Sequence, residues 1–433
     1  MDPVSSTGYA SRFAARLTGS TRVKTAFTLV ELLIVIAILA VLAAAVVIVL
    51  NPAELLAQAR DSQRITDLKT LKDAIDIFVV DNPSASLGTE ETVYISLPDT
   101  STTCANISLP ALPAGWTYNC VTTANLRNTD GTGWVPLNLG SIFGGTPIPY
   151  LPLDPGNDAV TGHYYTYTMG GSYELTALLE AEKSFGMKDG GRYVELYEVG
   201  SDISLLPVSR DPSLVGYWTF EGTGSISNGQ VSGLVDSSKN NNDGTADNIN
   251  GSGMAFISGK DGSALQLDGI DDDVRISSSP VFDLATTDHS FAIWFKTSSP
   301  PIDSPGIILR RFSGGTPGAG YHISLSTAGK CILEMRTDSG DGPGPVSPLS
   351  YTDNNWHLYI VIVDVRTKMV KIYIDGVVVA SDTYTGNLLN STDTFYIGGS
   401  GTSYNFLGAV DDIRVYNRAL SDTEIKSLYE AFK

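Results

Sequence analysis

Residues Phe27 to Leu50 read FTLVELLIVIAILAVLAAAVVIVL, a run of 24 positions with a single charge, Glu31. As a helix rising ~1.5 Å per residue, the run is long enough to cross a bilayer core of roughly 30 Å. A carboxylate in such a span costs on the order of 2.5–3.5 kcal/mol at the centre and less near the ends, so Glu31 calls for a positive partner. Upstream, residues 1–26 carry Arg12, Arg16, Arg22 and Lys24 against Asp2, a balance of +3. A basic flank before an apolar span stays in the cytoplasm, which places everything after Leu50 outside. The chain of 433 residues has a net charge of −19, or −22 without those first 26. That acidity argues against nucleic acid as a partner, because phosphate binding needs a basic face. It suits an extracellular surface, or one that collects divalent cations.

Beyond Asn51-Pro52 the apolar positions Leu68, Leu71, Ile75, Phe78 and Val79 recur at helical spacing, so the helix is expected to continue to Asp81 with one packed face. Pro52 removes one intrahelical hydrogen bond and should kink it. Asn82-Pro83 ends it, leaving a stem over 27–81 whose first part, 27–50, spans the membrane. Residues 82–204 form a small head with short alternating runs at His163–Thr168 and Tyr193–Val199. Cys104 and Cys120 sit in one turn-rich loop of that translocated part and are expected to pair, closing a loop worth ~3 kcal/mol in the chain-entropy model. Cys331 alternates with Leu333 and Met335 onto one strand face and reads as a buried free thiol.

Residues 205–213, LLPVSRDPS, read as a linker. From Leu214 the pattern changes to short strands bounded by turns, the strongest being SFAIWFK, WHLYIVIVD, MVKIYI and VVVAS. Asp375-Gly376 is a two-residue hairpin turn, and Ser421 with Glu424 forms a capping box opening one terminal helix. Roughly a dozen strands without a βαβ rhythm make a β-sandwich over 214–433.

Three resemblances sharpen this outline. KTA followed by FTLVE resembles the class III signal of type IV pilins and type II secretion pseudopilins. The resemblance implies that residues 1–26 are a leader, and that a prepilin peptidase cuts between Ala26 and Phe27 and methylates the new amine. Glu31 would then neutralise an N-terminal amine during filament assembly. The family places Gly where this chain has Ala26, another small residue. LPLDPGNDAVTGHYYTYTMGGSYELTALLE resembles the strand region of pseudopilin heads, including the turn Asp154–Asn157. In the second half, VGYWTFEGTGS, DSSKNNNDGT, GSALQLDGIDDDVRI, SFAIWFK, NNWHLYIVIV, KIYIDGVVVAS and GAVDDIRVYNRALSDTEI occur in order from 215 to 425. Together they resemble the laminin-G-like, concanavalin-A-like jelly roll of bacterial surface proteins, whose members bind carbohydrate or protein, often with calcium. The expected fold is thus an α+β pilin, a long N-terminal helix plus a head with antiparallel strands, followed by an all-β concanavalin-like sandwich.

Catalysis finds no support in the residues. Glu334 and Asp338 have the wrong spacing for a glycosidase pair on one strand face. His163, His289, His322 and His357 form no metal-ligand spacing, and His357 beside Trp356 reads as a packing residue. Calcium has better candidates, since it takes six to eight oxygens. Asp236, Asn240, Asn242 and Asp243 lie in one loop, and Asp411 and Asp412 enter the last strand, facing opposite sides of it. The Asp-rich turn Asp268–Asp273 is a second possibility, and plain turn chemistry a third. Tyr321, Tyr384, Tyr396, Tyr404 and Phe406 lie in or beside loops, where a ring could stack on a sugar.

The expectation is a non-catalytic pilin-like subunit. It starts as a single-pass protein of the inner membrane and ends in an extracellular filament of like subunits, displaying a lectin-like module for a glycan or surface ligand. The alternatives are a secretion pseudopilin handling exported substrate and a membrane-anchored polysaccharide-acting enzyme.

Overall fold

The structure is a computed structural model of the whole chain. It describes residues 29–432, apart from 51, 111, 113–114, 182–188, 190, 192, 194, 204, 227–231, 239, 249–252, 278, 284, 301–305, 314–318, 343, 392 and 400–404. The chain divides after Ala53 into two compact units.

The first unit contains helix α1 (Leu29–Leu50), 22 residues with Glu31 in the first turn, where a carboxylate meets the positive end of the helix dipole. Its described side chains, Leu29 to Leu39, all stand exposed. They end at Leu39, so among the described residues no helix is both long and apolar enough to cross a membrane.

Helix α2 (Pro52–Asp81) opens on Pro52, whose missing N–H is no loss in a first turn. Ala57, Asp61, Arg64, Leu68, Leu71, Ala74, Ile75 and Phe78 line its buried face. That face packs on a sheet made of β1 (Thr92–Pro98), β2 (Thr117–Val121), β3 (Thr166–Met169), β4 (Tyr173–Leu178) and β5 (Leu196–Gly200), ordered β2-β1-β3-β4-β5. One pair departs from the expected antiparallel pattern. β1 and β2 run parallel, so residues 99–116 must carry the chain back across the sheet. Cys104 in that crossover is joined to Cys120 in β2, with Cα atoms 5.3 Å apart, while Cys331 is buried and free.

Two packed sheets follow. Among the described residues the first has nine strands. Its main path is β20 (Val377–Thr383), β19 (Met369–Ile374), β18 (His357–Asp364), β12 (His289–Lys296), β22 (Leu407–Tyr416), β10 (Ser263–Asp268), β9 (Ala255–Ser258) and β7 (Gly224–Ser225). β6 (Leu214–Trp218) also pairs with β22. The second has eight: β16 (Gly340–Gly342), β15 (Lys330–Thr337), β14 (Ala319–Leu325), β13 (Gly306–Ser313), β21 (Phe395–Ile397), β11 (Asp272–Ile276) and β8 (Gly244–Asn248), with β17 (Val346–Ser350) beside β15. Alternate residues of both sheets form the inner core: Phe291, Ile293 and Phe295 meet Val274, Ile323, Leu333 and Ile397.

The opposite face of the nine-stranded sheet is buried too. Ala292, Trp294, Leu358, Ile360 and Ile362 belong to one apolar cluster with Val93, Ile95 and Leu97 of β1, Leu178 and Leu196. Ile425 and Leu428 of helix α3 (Asp422–Ala431) join it. Burial on both faces is why β12 and β18 read as almost unbroken apolar runs.

Residues 205–213 join the two parts but are no loose tether. Leu206, Val208, Ser209, Arg210 and Asp211 are buried. Glu174 accepts the Leu205 and Leu206 N–H groups at 2.7 and 2.6 Å, and Arg210 donates to Thr176 at 2.8 Å and to the Tyr164 carbonyl. The Ser209 and Asn417 N–H groups bond across to Ser237 and Ser213, each at 2.9 Å. A polar, proline-containing stretch resembles a linker by composition, but its polar groups here are matched to partners on both sides.

Candidate functional site

The chain leaves the nine-stranded sheet at Asp268 and enters the eight-stranded sheet at Asp272, so Gly269, Ile270 and Asp271 cross the rim of the sandwich. Gly269 has φ +75°, and a Cβ there would lie 2.7 Å from Leu407 Cβ, so the position excludes side chains. Asp268 accepts the Ile270 N–H at 2.7 Å, and the Asp268 N–H donates to Asp272 Oδ2 at 2.9 Å. These bonds fold the turn back on itself. One carboxylate oxygen each from Asp268, Asp271 and Asp272 then lies within 4.8 Å of the others.

Among the described residues, three buried oxygens at this rim have no hydrogen-bond partner: Oδ1 of Asp271, of Asp272 and of Asn405. Asn405 reaches the turn from the far end of the chain, its Nδ2 donating to the Ile270 carbonyl. Buried carboxylates crowded together resist ionisation. Burial and the charges of Asp268 and Asp271 outweigh the bond from the Asp268 N–H and push Asp272 up to about 7. A cation at this point would satisfy the orphan oxygens and relieve the repulsion. The donors are all hard oxygens, without histidine or cysteine, which suits calcium and not zinc.

The residues first expected to hold calcium lie elsewhere, and apart from Asp411 Oδ1, which is buried without a partner among the described residues, hydrogen bonds and an ion pair engage them. Asp236 Oδ1 accepts the Tyr217 and Ser238 N–H groups, and Oδ2 accepts the Asn242 N–H and the Ser238 hydroxyl, all at 2.8–2.9 Å. Asn242 turns its side chain to the Val215 carbonyl, and Asp243 caps the Asp236 N–H. That loop is turn chemistry with its oxygens used. Asp411 accepts the Lys260 and Asp261 N–H groups of a hairpin tip at 2.8 and 3.1 Å, while Asp412 pairs with Arg414 at 2.7 Å. Burial and the neighbouring Asp412 push Asp411 up to about 9. The five residues are therefore not one site. The Asp-rich turn, the second possibility, is the cluster that forms. Asn405 was missed, since nothing local marks a residue more than a hundred positions away as its partner.

The aromatic candidates divide similarly. Tyr321, Tyr384 and Phe406 are core residues, Tyr404 lies outside the described residues, and Tyr396 stands half-exposed. His357 is no simple packing residue: it bridges Asp375 at 2.8 Å and Asp353 at 3.1 Å, and the Asp375 bond raises its pKa against the opposing effect of burial. Glu334 faces His322 at 3.3 Å, and Asp338 is bound to Asn387, so these two carboxylates have separate partners. The processing pair Ala26 and Phe27 lies outside the described residues.

Comparison with known proteins agrees with the resemblances at the N-terminus and in the second half of the chain. Residues 21–47 match the prokaryotic N-terminal methylation motif, and residues 267–426 match the concanavalin A-like lectin/glucanases superfamily. No curated protein matches the chain by sequence. Similar solved structures include the binding domain of Paraclostridial Mosquitocidal Protein 1, with 16% identity over 51% of this chain, 52% of that one, and a TM-score of 0.40. This chain thus spans about half of that domain. Domain 4 of AbnA, an extracellular arabinanase from Geobacillus stearothermophilus, in complex with arabinotriose, is similar at 23% identity. That match covers 50% of this chain and 98% of the domain, with a TM-score of 0.39. The CBM40 of Ruminococcus gnavus IT-sialidase, bound to α2,3 sialyllactose, has 18% identity over 36% of this chain and 96% of its own, with a TM-score of 0.30.

Proposed function

We propose that this chain, with a methylation motif ahead of a concanavalin A-like module, is a pilin-like subunit that carries a glycan-binding sandwich to the cell surface on a filament. The observation that carries the reading is α1: a helix of 22 residues, apolar around its whole circumference, with one carboxylate in its first turn. Its described side chains are exposed and need an apolar surrounding. A bilayer supplies it before assembly, and the helices of neighbouring subunits supply it afterwards. Once Phe27 is the first residue, Glu31 follows the new amine by four positions in the sequence, and its carboxylate is the partner for the amine of an adjacent subunit.

The sandwich binds without cleaving, and calcium held by Asp268, Asp271 and Asp272 stiffens its rim. Support for the metal comes from the three mutually close carboxylates and the orphan oxygens around them. Surface filaments sheared from cells should contain the chain and bind a glycan surface, and loss of filaments should abolish both. Retention of the protein inside the envelope would favour the pseudopilin reading instead.

A further inference from the structure

The eight-stranded sheet carries polar residues in register on the side away from the core. Thr245, Arg275 and Tyr396 lie opposite one another on one side of β13, and His322 and Glu334 on the other; β13 joins the two groups through the backbone pairing of position 310 with Tyr396 and His322. Strand alternation sets the side: Val274, Ile276, Phe395, Ile397, Ile323 and Leu333, their sequence neighbours, are core residues. Five strand spacings of ~4.8 Å give the row a length of roughly 24 Å. The Arg275 and Glu334 side chains are 45% and 53% exposed, Thr245 and Tyr396 are partly buried, and His322 is buried between them and Glu334.

We propose that this row is the sugar-binding face and that its ligand is a neutral glycan chain; the inference rests on the glycan-binding reading above. Arg275 is held by Asp273 at 3.1 Å on one side and by Asp247 on the other, so its guanidinium is fixed in place before any ligand arrives. The two carboxylates more than offset its charge, leaving a local balance of −1 and acceptors beside the guanidinium. Glu334 lies 3.3 Å from His322 further along. Fixed donors beside fixed acceptors match hydroxyl groups, which both donate and accept. An acidic glycan would meet Asp247, Asp273 and Glu334 as like charges. A peptide would need apolar contact area, and beside the buried His322 the described row offers one aromatic side chain, Tyr396. A tyrosine ring at the centre of the row can take sugar C–H groups on its face. β11 links the row to the carboxylate turn, since Asp272 and Arg275 lie three residues, ~10 Å, apart on one strand.

The test is affinity electrophoresis of the full chain, with calcium present, through gels containing neutral polysaccharides (arabinan, xylan, mixed-linkage glucan, galactomannan) or acidic ones (polygalacturonate, alginate). At least one neutral polymer should retard the wild type. Tyr396→Ala should weaken that retardation about tenfold or more, Tyr396→Phe should retain it, and Glu334→Ala should weaken it, all with an unchanged melting temperature. Retardation by neutral polymer that is equal in wild type and Tyr396→Ala would overturn the row while leaving the glycan-binding reading intact. Retardation by acidic polymers alone would overturn the ligand class. No retardation by any polymer would overturn the glycan-binding reading, and the row with it.

Discussion

Asp272 sits where burial and two neighbouring carboxylates hold its pKa at about 7. Raised above the usual carboxylate value of ~3.9, it destabilises the metal-free protein progressively as pH rises from ~4 to about 7. Calcium requires the ionised form, so its effect should grow with pH through the same window. At a hundredfold excess over Kd a ligand of the native state adds ~2.7 kcal/mol. The melting temperature of the full chain should therefore rise with calcium above pH ~7, with the increment shrinking below it. Asp271→Asn and Asp272→Asn should each remove most of the increment. Asp236→Ala should cost ~1–3 kcal/mol by stripping buried N–H groups of their acceptor, yet leave the increment unchanged. Loss of the increment in Asp236→Ala alone would return the ion to that loop. Sequence could not rank the two loops, because Asp, Asn and Gly in a turn look the same whether they cap N–H groups or hold a cation. The difference lies in which carboxylate oxygens distant residues already occupy: the Tyr217 N–H takes Asp236 Oδ1, whereas Asn405 bonds the Ile270 carbonyl instead of a carboxylate of the Asp-rich turn. For Glu31 the motif supplies an expected role: Glu31→Ala should leave cleavage largely intact and reduce incorporation into filaments, seen by comparing processed and filament-borne protein. Normal incorporation would remove the carboxylate from the assembly mechanism.

Among the elements, α2 was legible as an amphipathic helix from Leu68 onward, but its N-terminal half holds the less expected feature. Arg64 is fully buried and bonds Asp61 at 2.7 Å, Asp154 at 2.7 and 2.9 Å, and Glu180. Asp61 in turn accepts the Glu180 and Ala181 N–H groups at 3.0 and 2.8 Å. The turn Asp154–Asn157 is thereby fastened to the helix, a long-range pairing that no local pattern signals. Burial would raise Glu180, yet its bonds to Arg60 and Arg64 prevail and hold it at about 2. A depressed carboxylate stabilises fully above its unfolded value of ~4.3 and loses that contribution as pH falls towards about 2. Arg64→Met would leave carboxylates unpaired and should cost ~3–5 kcal/mol in urea unfolding at neutral pH, and less under acid conditions. A cost independent of pH would assign Arg64 to packing alone. Local signals were sufficient for two other elements. Asp375 and Gly376 both have positive φ, 53° and 79°, as the hairpin requires, and Ser421 with Glu424 makes the full capping box of α3.

At the scale of the whole molecule, the consequential departure from sequence is the junction. LLPVSRDPS has the composition of a tether, yet residues 54–433 form one compact unit in which the sandwich shares an apolar cluster with the first sheet. The strand runs of β12 and β18 held the clue, being apolar at successive positions where a one-sided sheet would alternate. Leu206, fully buried at that junction, gives the check. Leu206→Ala should cost ~2–5 kcal/mol, and residues 54–433 should unfold in one transition monitored by tyrosine fluorescence and circular dichroism together. Two separate transitions, the second unaffected by the substitution, would restore the tether. On the proposed filament, a packed junction of this kind would set how the sandwich is presented. Everything in that picture depends on the chain being processed and assembled through its N-terminal helix. The most direct measurement is mass analysis of the N-terminal peptide of the chain recovered from sheared surface filaments. The predicted result is a peptide beginning at N-methylated Phe27 in a chain that still contains the sandwich; an intact leader, or a cut on the far side of the apolar run, would contradict it.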